Sequence, residues 1–185
     1  MSNTPMQRVP FEQLPEPLQP VWTALNDLTG EPTFVEVFAQ APELLDFVMG
    51  KFYGEIFFGG RVDERYKQLA RLRLSQVHGC RTCNKQNVPG ALAAGFSQAQ
   101  IDAMANPSPA HFDEAELAVL EFAEQMVLTN ADGQLSDELY QRLRRHFDDA
   151  QICELGTVMG VIGGMAKLSF VLNVVEREDY CPFAA

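Results

Sequence analysis

Cys80 and Cys83 stand in the stretch Arg71-Leu72-Arg73-Leu74-Ser75-Gln76-Val77-His78-Gly79-Cys80-Arg81-Thr82-Cys83-Asn84-Lys85-Gln86-Asn87, where one helical pattern breaks at Gly79 and a second one starts. Two thiols at this spacing point either to electron exchange or to metal binding. A thiol at the start of a helix meets the positive end of the peptide dipoles, and nearby Arg or Lys strengthens that field, so the thiolate is favoured at neutral pH. Arg81 and Lys85 supply the second influence.

The charge distribution sharpens the point. The chain carries 25 acidic and 14 basic residues, a net charge of -11, yet no Asp or Glu occurs between Arg65 and Ile101. Arg65, Lys67, Arg71, Arg73, Arg81 and Lys85 all fall in that window. Arg65, Arg71 and Arg73 are expected to pair with carboxylates from other helices. Arg81, between the two cysteines, is harder to account for in that way and is expected to act on the thiols. The acidic total, with a pI near 4.6, argues against nucleic acid or anionic membrane as a partner.

Residues 1–15 are polar and punctuated by proline without an apolar run, so the expected compartment is the cytoplasm. Four cysteines in a cytosolic chain seldom form a structural disulfide framework. Cys153, in an apolar helical pattern, is expected to be a buried small hydrophobe, and Cys181, in Asp179-Tyr180-Cys181-Pro182, a bystander. His78, Cys80 and Cys83 fall short of the four ligands that a structural zinc site needs, and no second paired motif exists, so no metal is expected. A thioredoxin-like oxidoreductase would require a strand–helix–strand context that the sequence lacks.

The elements that must position these residues read as helices. At 185 residues and 46% hydrophobic content the chain is long enough for one domain with a substantial core. It divides into a proline-rich extended arm over 1–20, a helical domain over 21–176 and a tail over 177–185. Helices are expected over 21–28, ending at Gly30, over 33–40, and from Pro42 to the Gly59-Gly60 stop, with Leu45, Val48, Met49, Phe52 and Ile56 at helical spacing. Asp63 caps a helix that runs to Gly79, and another runs from the cysteines to about residue 94. Ser97, Asp113 and Asp148 each precede Gln or Glu by three positions and are flanked by apolar staple pairs. Ser136 offers a further cap without the Glu or Gln. With no convincing alternating segment, the fold class is all-α.

The last helix, about 150–175, is long enough to span a bilayer, but Lys167 and Asn173 favour a buried helix at a subunit contact over membrane insertion. Gly156, Gly160 and Gly164 recur every four residues, which is expected to let another backbone approach.

If the helices on either side of Gly79 fold back as a hairpin, Cys83 lies roughly one turn from the bend, Asn87 about one turn farther, and Gln68 on the opposite helix beyond that, at about 1.5 Å per residue. This is a line of polar side chains where a proton relay would be built. Gln68 through Asn87, with Leu72-Arg73 and Gly79-Cys80-x-x-Cys83, resembles the core signature of the carboxymuconolactone decarboxylase superfamily, in its alkylhydroperoxidase D-like branch. The resemblance runs over about 41–175.

It implies a single-domain helical bundle of that type, assembled as a homo-oligomer, that reduces a hydroperoxide with electrons from a thiol or lipoyl-type donor. The same resemblance implies that no cofactor is bound and that the work is done by a redox-active Cys80–Cys83 disulfide. The resemblance favours Cys83 as the thiol that meets peroxide, since the family's assisting His follows it, with Cys80 resolving the sulfenic acid; the sequence alone leaves the order of the two open. In that branch a Glu twelve residues before the first cysteine and a His four after the second assist the thiols, often with a His just before the second cysteine. Here those places hold Gln68, Asn87 and Thr82. Gln and Asn orient a water or a thiol but take no proton at neutral pH. Thiolate formation is then expected to rely on Arg81, Lys85 and the helix start, with Glu64 or His78 as substitute bases. Two other readings are a non-catalytic oligomeric binding protein of the same fold and a carboxymuconolactone decarboxylase-like enzyme, whose branch does not use a cysteine pair.

Overall fold

Ser97, Asp113 and Asp148 each accept a hydrogen bond from the backbone N–H of the third residue on, and the side chains of Gln100, Glu116 and Gln151 in turn accept one from the cap's own N–H. These reciprocal pairs satisfy donors that a helix start otherwise leaves open. In the computed structural model, which describes residues 2–183, they open the helices Gln98–Ala103, Glu114–Gln125 and Asp149–Val171. Met1 and the last two residues of the 177–185 tail lie outside the described residues. Ser136 caps Asp137–Arg144 without a returned bond, and Asp63 caps Glu64–Val77 through the Arg65 N–H.

In chain order the helices are α1 Gln19–Thr29, α2 Thr33–Phe38, α3 Pro42–Asp46, α4 Glu64–Val77, α5 Arg81–Ala93, α6 Gln98–Ala103, α7 Glu114–Gln125, α8 Asp137–Arg144 and α9 Asp149–Val171. The described residues contain no strand, and the all-α fold expected from the sequence is what they form. The N-terminal arm is less extended than expected. It makes short 3-10 turns at Phe11–Gln13 and Glu16–Leu18 and packs along α2, with the Val9 N–H on the Glu36 carbonyl at 3.0 Å and Arg8 paired with the Glu36 carboxylate.

The helix expected to run straight from Pro42 to Gly59 changes its winding. α3 passes into a π-helical stretch over Phe47–Phe57, closed by the Phe58 N–H on the Tyr53 carbonyl at 2.9 Å. Phe52 and Phe57, five residues apart, are both buried against Val158 of α9. An α-helix would turn them about 140° away from each other; winding with five-residue bonds brings them to one face.

The main core is built by α4, α5, α7 and α9, with Leu69, Leu72, Leu74, Ala118, Leu155 and Met159 fully buried. Ion pairs tie α4 to α7 and α9. Lys67 of α4 meets Glu154 of α9 at 3.2 Å, Arg65 meets Glu116 of α7 at 2.6 Å, and Arg73 meets Glu124. Arg71 departs from the expected pairing: its guanidinium lies over the rings of Tyr53 and Phe57, at 5.1 and 5.6 Å from their centroids.

α9 is long and apolar enough to cross a membrane by length and composition, and a third of its most apolar window (33%) is buried. It stops at Val171, short of the expected end, as the chain turns through Asn173 in a left-handed conformation at φ 52°. Two expectations on this helix are corrected. Gly156 and Gly160 receive the side chains of Phe122 and Met126, not a neighbouring backbone, and Gly164 faces open space. Cys153 is exposed, because Ile152, Leu155, Val158 and Met159 form the inward face and Cys153 falls on the other side.

Candidate active site

The turn between α4 and α5 is made by Gly79, whose φ of +62° lies in the left-handed region that a side chain disfavours. The turn is closed by the Cys80 N–H on the Ser75 carbonyl at 3.0 Å. Cys80 then takes the N-cap position of α5 in extended backbone, and its Sγ accepts the Cys83 N–H at 3.2 Å. The two sulfurs are joined as a disulfide with a Cα–Cα separation of 5.2 Å. The partners differ in access: Cys80 is 0% exposed and Cys83 half-buried.

The hairpin sets the polar residues in the expected order. Asn87 Nδ2 donates to the Arg71 carbonyl at 3.3 Å, and the Gln68 carboxamide lies against Gly90, 2.9 Å from where a Cβ would stand. Both side chains are buried. They are not joined to each other. Gln68 Nε2 donates to Glu64 Oε1 at 3.0 Å, while Gln68 Oε1 is buried without a hydrogen-bond partner. A carboxylate is thus present at this line after all, one turn earlier than the family's Glu.

His78 is not placed as a base for the thiols. It is fully buried, and its Nε2 accepts the Leu128 N–H at 3.1 Å. Burial pushes its pKa down to about 4, with Glu124 opposing the shift, so the ring is neutral at physiological pH. No group of three His, Cys, Asp or Glu in metal-holding geometry occurs among the described residues.

The positive field expected from Arg81 and Lys85 is answered by the chain's own end. Arg81 Nε pairs with Glu178 at 3.0 Å and its guanidinium reaches Asp179 at 3.6 Å. Lys85 Nζ donates to the Thr29 carbonyl at 2.9 Å and lies 3.4 Å from Glu176. The difficulty of finding partners for Arg81 is removed: they come from ninety-odd residues away and complete an ion pair across the cysteine turn.

The segment carrying these acids straps the start of α5. Arg177 forms a β-bridge with Cys80, the Glu178 N–H donates to the Gly79 carbonyl at 2.8 Å, and the Glu176 N–H donates to Thr82 Oγ1 at 2.9 Å. Thr82, standing where the family often has His, is therefore engaged in holding the strap. Cys181 follows, buried, in one apolar cluster with Cys80, Phe170 and Val175. Sequence reasoning missed Glu176, Glu178 and Cys181 as members of the site. The signal was there in part, as a basic turn without acids and an acidic tail with a cysteine.

Beside the strap, Arg73, Gln76, Val77, Asn84, Asp102 and Tyr180 line a cavity of about 400 Å³. A second, of about 500 Å³, lies between the end of the π-helical stretch and α9 and is lined by Arg61, Cys153 and Glu154.

Comparison with known proteins bears on this site. The model of the carboxymuconolactone decarboxylase family matches residues 42–125, which span the hairpin and both cysteines. An uncharacterised protein of Bacillus subtilis, YdfG, is 26% identical over 113 residues, covering 60% of this chain and 76% of its own. A crystal structure of a protein of unknown function from Agrobacterium tumefaciens, proposed to be an antioxidant defence protein AhpD, superposes with a TM-score of 0.64 at 25% identity, over 73% of this chain and 91% of that one. A cysteine-to-alanine variant of the debrominase Bmp8, in complex with 2,3,4-tribromopyrrole, shares the fold at a TM-score of 0.72 and 17% identity, over 97% of this chain and 95% of that one.

Proposed function

Given that this chain belongs to the carboxymuconolactone decarboxylase and AhpD-like superfamily, we propose that it is a thiol-dependent oxidoreductase that reduces hydroperoxides through Cys80 and Cys83. The observation that carries this reading is the asymmetry of the pair, in which a half-buried sulfur is bonded to a sealed one at the N-cap of α5.

In the reduced enzyme the Cys83 thiolate attacks a hydroperoxide oxygen. An S–O bond forms, the O–O bond breaks, and the alcohol leaves after protonation, with Cys83 left as a sulfenic acid. Cys80 then attacks the Cys83 sulfur, forming the disulfide and releasing water. An external dithiol, of which dihydrolipoamide is the expected type, returns two electrons. Its thiolate attacks the accessible Cys83, Cys80 departs as a thiolate, and the donor's second thiol resolves the mixed disulfide. The Cys83 N–H and the start of α5 favour the departing Cys80 thiolate. Gln68 Oε1 is an acceptor that could orient a water or a hydroperoxide O–H, and Glu64 accepts from the amide of the same carboxamide.

In this reading the enzyme works in the cytoplasm as a homo-oligomer, with the exposed Leu44, Phe47, Met49 and Phe58 covered by a second copy. The test is consumption of cumene hydroperoxide with dihydrolipoamide as donor. Turnover is expected in the intact protein, with loss in Cys83→Ser and a trapped sulfenic acid in Cys80→Ser. A protein that neither consumes peroxide nor has its disulfide reduced by dihydrolipoamide would leave the non-catalytic reading in place.

A further inference from the structure

The disulfide shares its apolar cluster with a third sulfur, that of Cys181. Cys80 is 0% exposed, so a thiol from solution has no route to it; it belongs to one buried cluster with Phe170, Val175 and Cys181, against which Cys83, Ala166 and Phe183 pack. Cys181 is a free thiol and is itself buried.

Backbone contacts hold it there. The Arg177–Cys80 bridge and the bond from Glu178 N–H to the Gly79 carbonyl, at 2.8 Å, fix the register of the strap against the cysteine turn. Cys181 Cα sits 2.6 Å from where a Cβ on Gly79 would stand, so it rests on the residue next to Cys80. Phe183 stacks on Phe170 at 5.5 Å and closes the far side. The thiol hydrogen is directed to the His78 carbonyl at 3.0 Å, a weak bond and the one polar contact that its reaction would break. A bystander cysteine would need none of this placement.

We propose that Cys181 is a third redox-active thiol that exchanges with the Cys80–Cys83 disulfide. This rests on the reading of that pair as a working redox centre. The Cys181 sulfur, as the thiolate, attacks Cys80; the Cys80–Cys181 bond forms, the Cys80–Cys83 bond breaks, and the proton given up by Cys181 ends on Cys83. The oxidation level of the protein is unchanged, and no outside oxidant takes part. The product carries its disulfide in the buried cluster, ties the C-terminal strap covalently to the start of α5, and presents Cys83 as a free, half-buried thiol while the chain is still oxidised. Arg81, paired with Glu178 and Asp179, holds the strap in position for both states.

Trypsin separates the three sulfurs, since cleavage after Arg73, Arg81, Lys85 and Arg177 puts Cys80 in residues 74–81, Cys83 in 82–85 and Cys181 in 178–185. The full-length protein is equilibrated across a series of glutathione redox buffers, quenched in acid, alkylated under denaturing conditions, digested and mapped by mass spectrometry. A species joining 74–81 to 178–185, with 82–85 alkylated, is expected alongside the 74–81/82–85 pair. In Cys181→Ser the oxidised protein should expose Cys83 to maleimide at least about tenfold more slowly, because the internal exchange is gone. Cys83→Ser treated with diamide should lose both remaining thiols of the site and yield the 74–81/178–185 link. If 178–185 is recovered fully alkylated at every poise, and diamide leaves Cys181 reduced in Cys83→Ser, the third-thiol proposal is overturned while a cycling 74–81/82–85 pair keeps the peroxidase reading standing. If the 74–81/82–85 pair does not cycle either, both fall together.

Discussion

Cys181 occupies the space that any side chain on Gly79 would need, its Cα lying 2.6 Å from the site of a Cβ there. Gly79 also holds a left-handed φ of +62°. Gly79→Ala therefore carries two penalties, about 1–2 kcal/mol for the backbone conformation and a collision with the strap's main chain that no rotamer relieves. The variant should melt earlier and release residues 176–183, so that trypsin cuts after Arg177 faster than in the parent. Equal cleavage rates would show that the strap is not held by this contact.

The ion pairs of Arg81 and Lys85 stand beside the start of α5, and their charge is expected to act on the thiols. Glu178→Gln leaves Arg81 without its nearest carboxylate, at 3.0 Å in the parent, and removes one negative charge beside α5. Reduced Cys83 should then react about two- to fivefold faster with iodoacetate, relative to neutral iodoacetamide, as befits a partly exposed pair. The gain should shrink at high salt as the Debye length falls. An unchanged ratio at low ionic strength would mean that Arg81 does not act on the thiol at all.

Most of the secondary structure was legible because it is written locally. The caps at Ser97, Asp113, Ser136 and Asp148 act within four residues, and each opens a helix where the sequence places one. The hairpin at Gly79 and the order of Cys83, Asn87 and Gln68 follow from helix geometry alone. What was not legible depends on distant partners. Arg81 looked unpaired because Glu178 lies 97 positions away, Cys181 looked idle because nothing near it in the chain shows that it lands on Gly79, and Cys153 looked buried because α9 is apolar on more than its inward face. The π-helical winding at Phe47–Phe57 was missed for a different reason: a pattern five residues apart was read with an α-helical period.

Restoring the family's acid and base should raise turnover. Gln68→Glu is nearly isosteric, and the Oε1 it replaces has no partner in the core, although the new carboxylate sits beside Glu64, 3.0 Å from the parent's Nε2. One of the two carboxyls is then expected to hold a proton near neutral pH. Combined with Asn87→His, the change supplies groups that transfer protons, and general acid–base catalysis of this kind is worth on the order of a hundredfold in rate. The check is kcat/KM for cumene hydroperoxide in the double variant, with circular dichroism to show that the fold is kept. No gain from a folded double variant would place the rate limit outside proton transfer.

Glu154 is the hinge of the charge buried beneath α9. Burial raises its pKa, but the Arg61 and Val62 N–H groups, at 2.8 and 3.1 Å, together with Lys67, outweigh that and hold the carboxyl below its ordinary value. Glu154→Gln keeps an acceptor for one N–H and strips Lys67, fully buried, of its only carboxylate partner among the described residues. An unpaired buried ammonium costs about 3–5 kcal/mol, so the urea midpoint should fall steeply. A Lys67→Met, Glu154→Gln double variant should recover part of the loss, which a purely steric effect of the Gln side chain would not allow.

His78 makes stability depend on pH in a window that the carboxylates do not share. Its folded pKa is about 4 against an ordinary 6.5, lowered by burial, while Glu124 works the other way. The unfolded chain thus takes up a proton on this ring between pH 6.5 and 4 before the folded one does, and folding stability falls as pH falls through that interval. Full stability from this group is present above about pH 6.5, and the loss on reaching pH 4.5 is on the order of 2 to 3 kcal/mol. His78→Gln keeps an acceptor for the Leu128 N–H, 3.1 Å from Nε2 in the parent, and does not titrate. Urea unfolding at pH 7.5 and 5 should show the variant losing less than the parent. The imidazole signals of His78 in the folded parent should remain those of a neutral ring at pH 5, and a ring already protonated at pH 6 would contradict the buried placement from which the pH dependence follows.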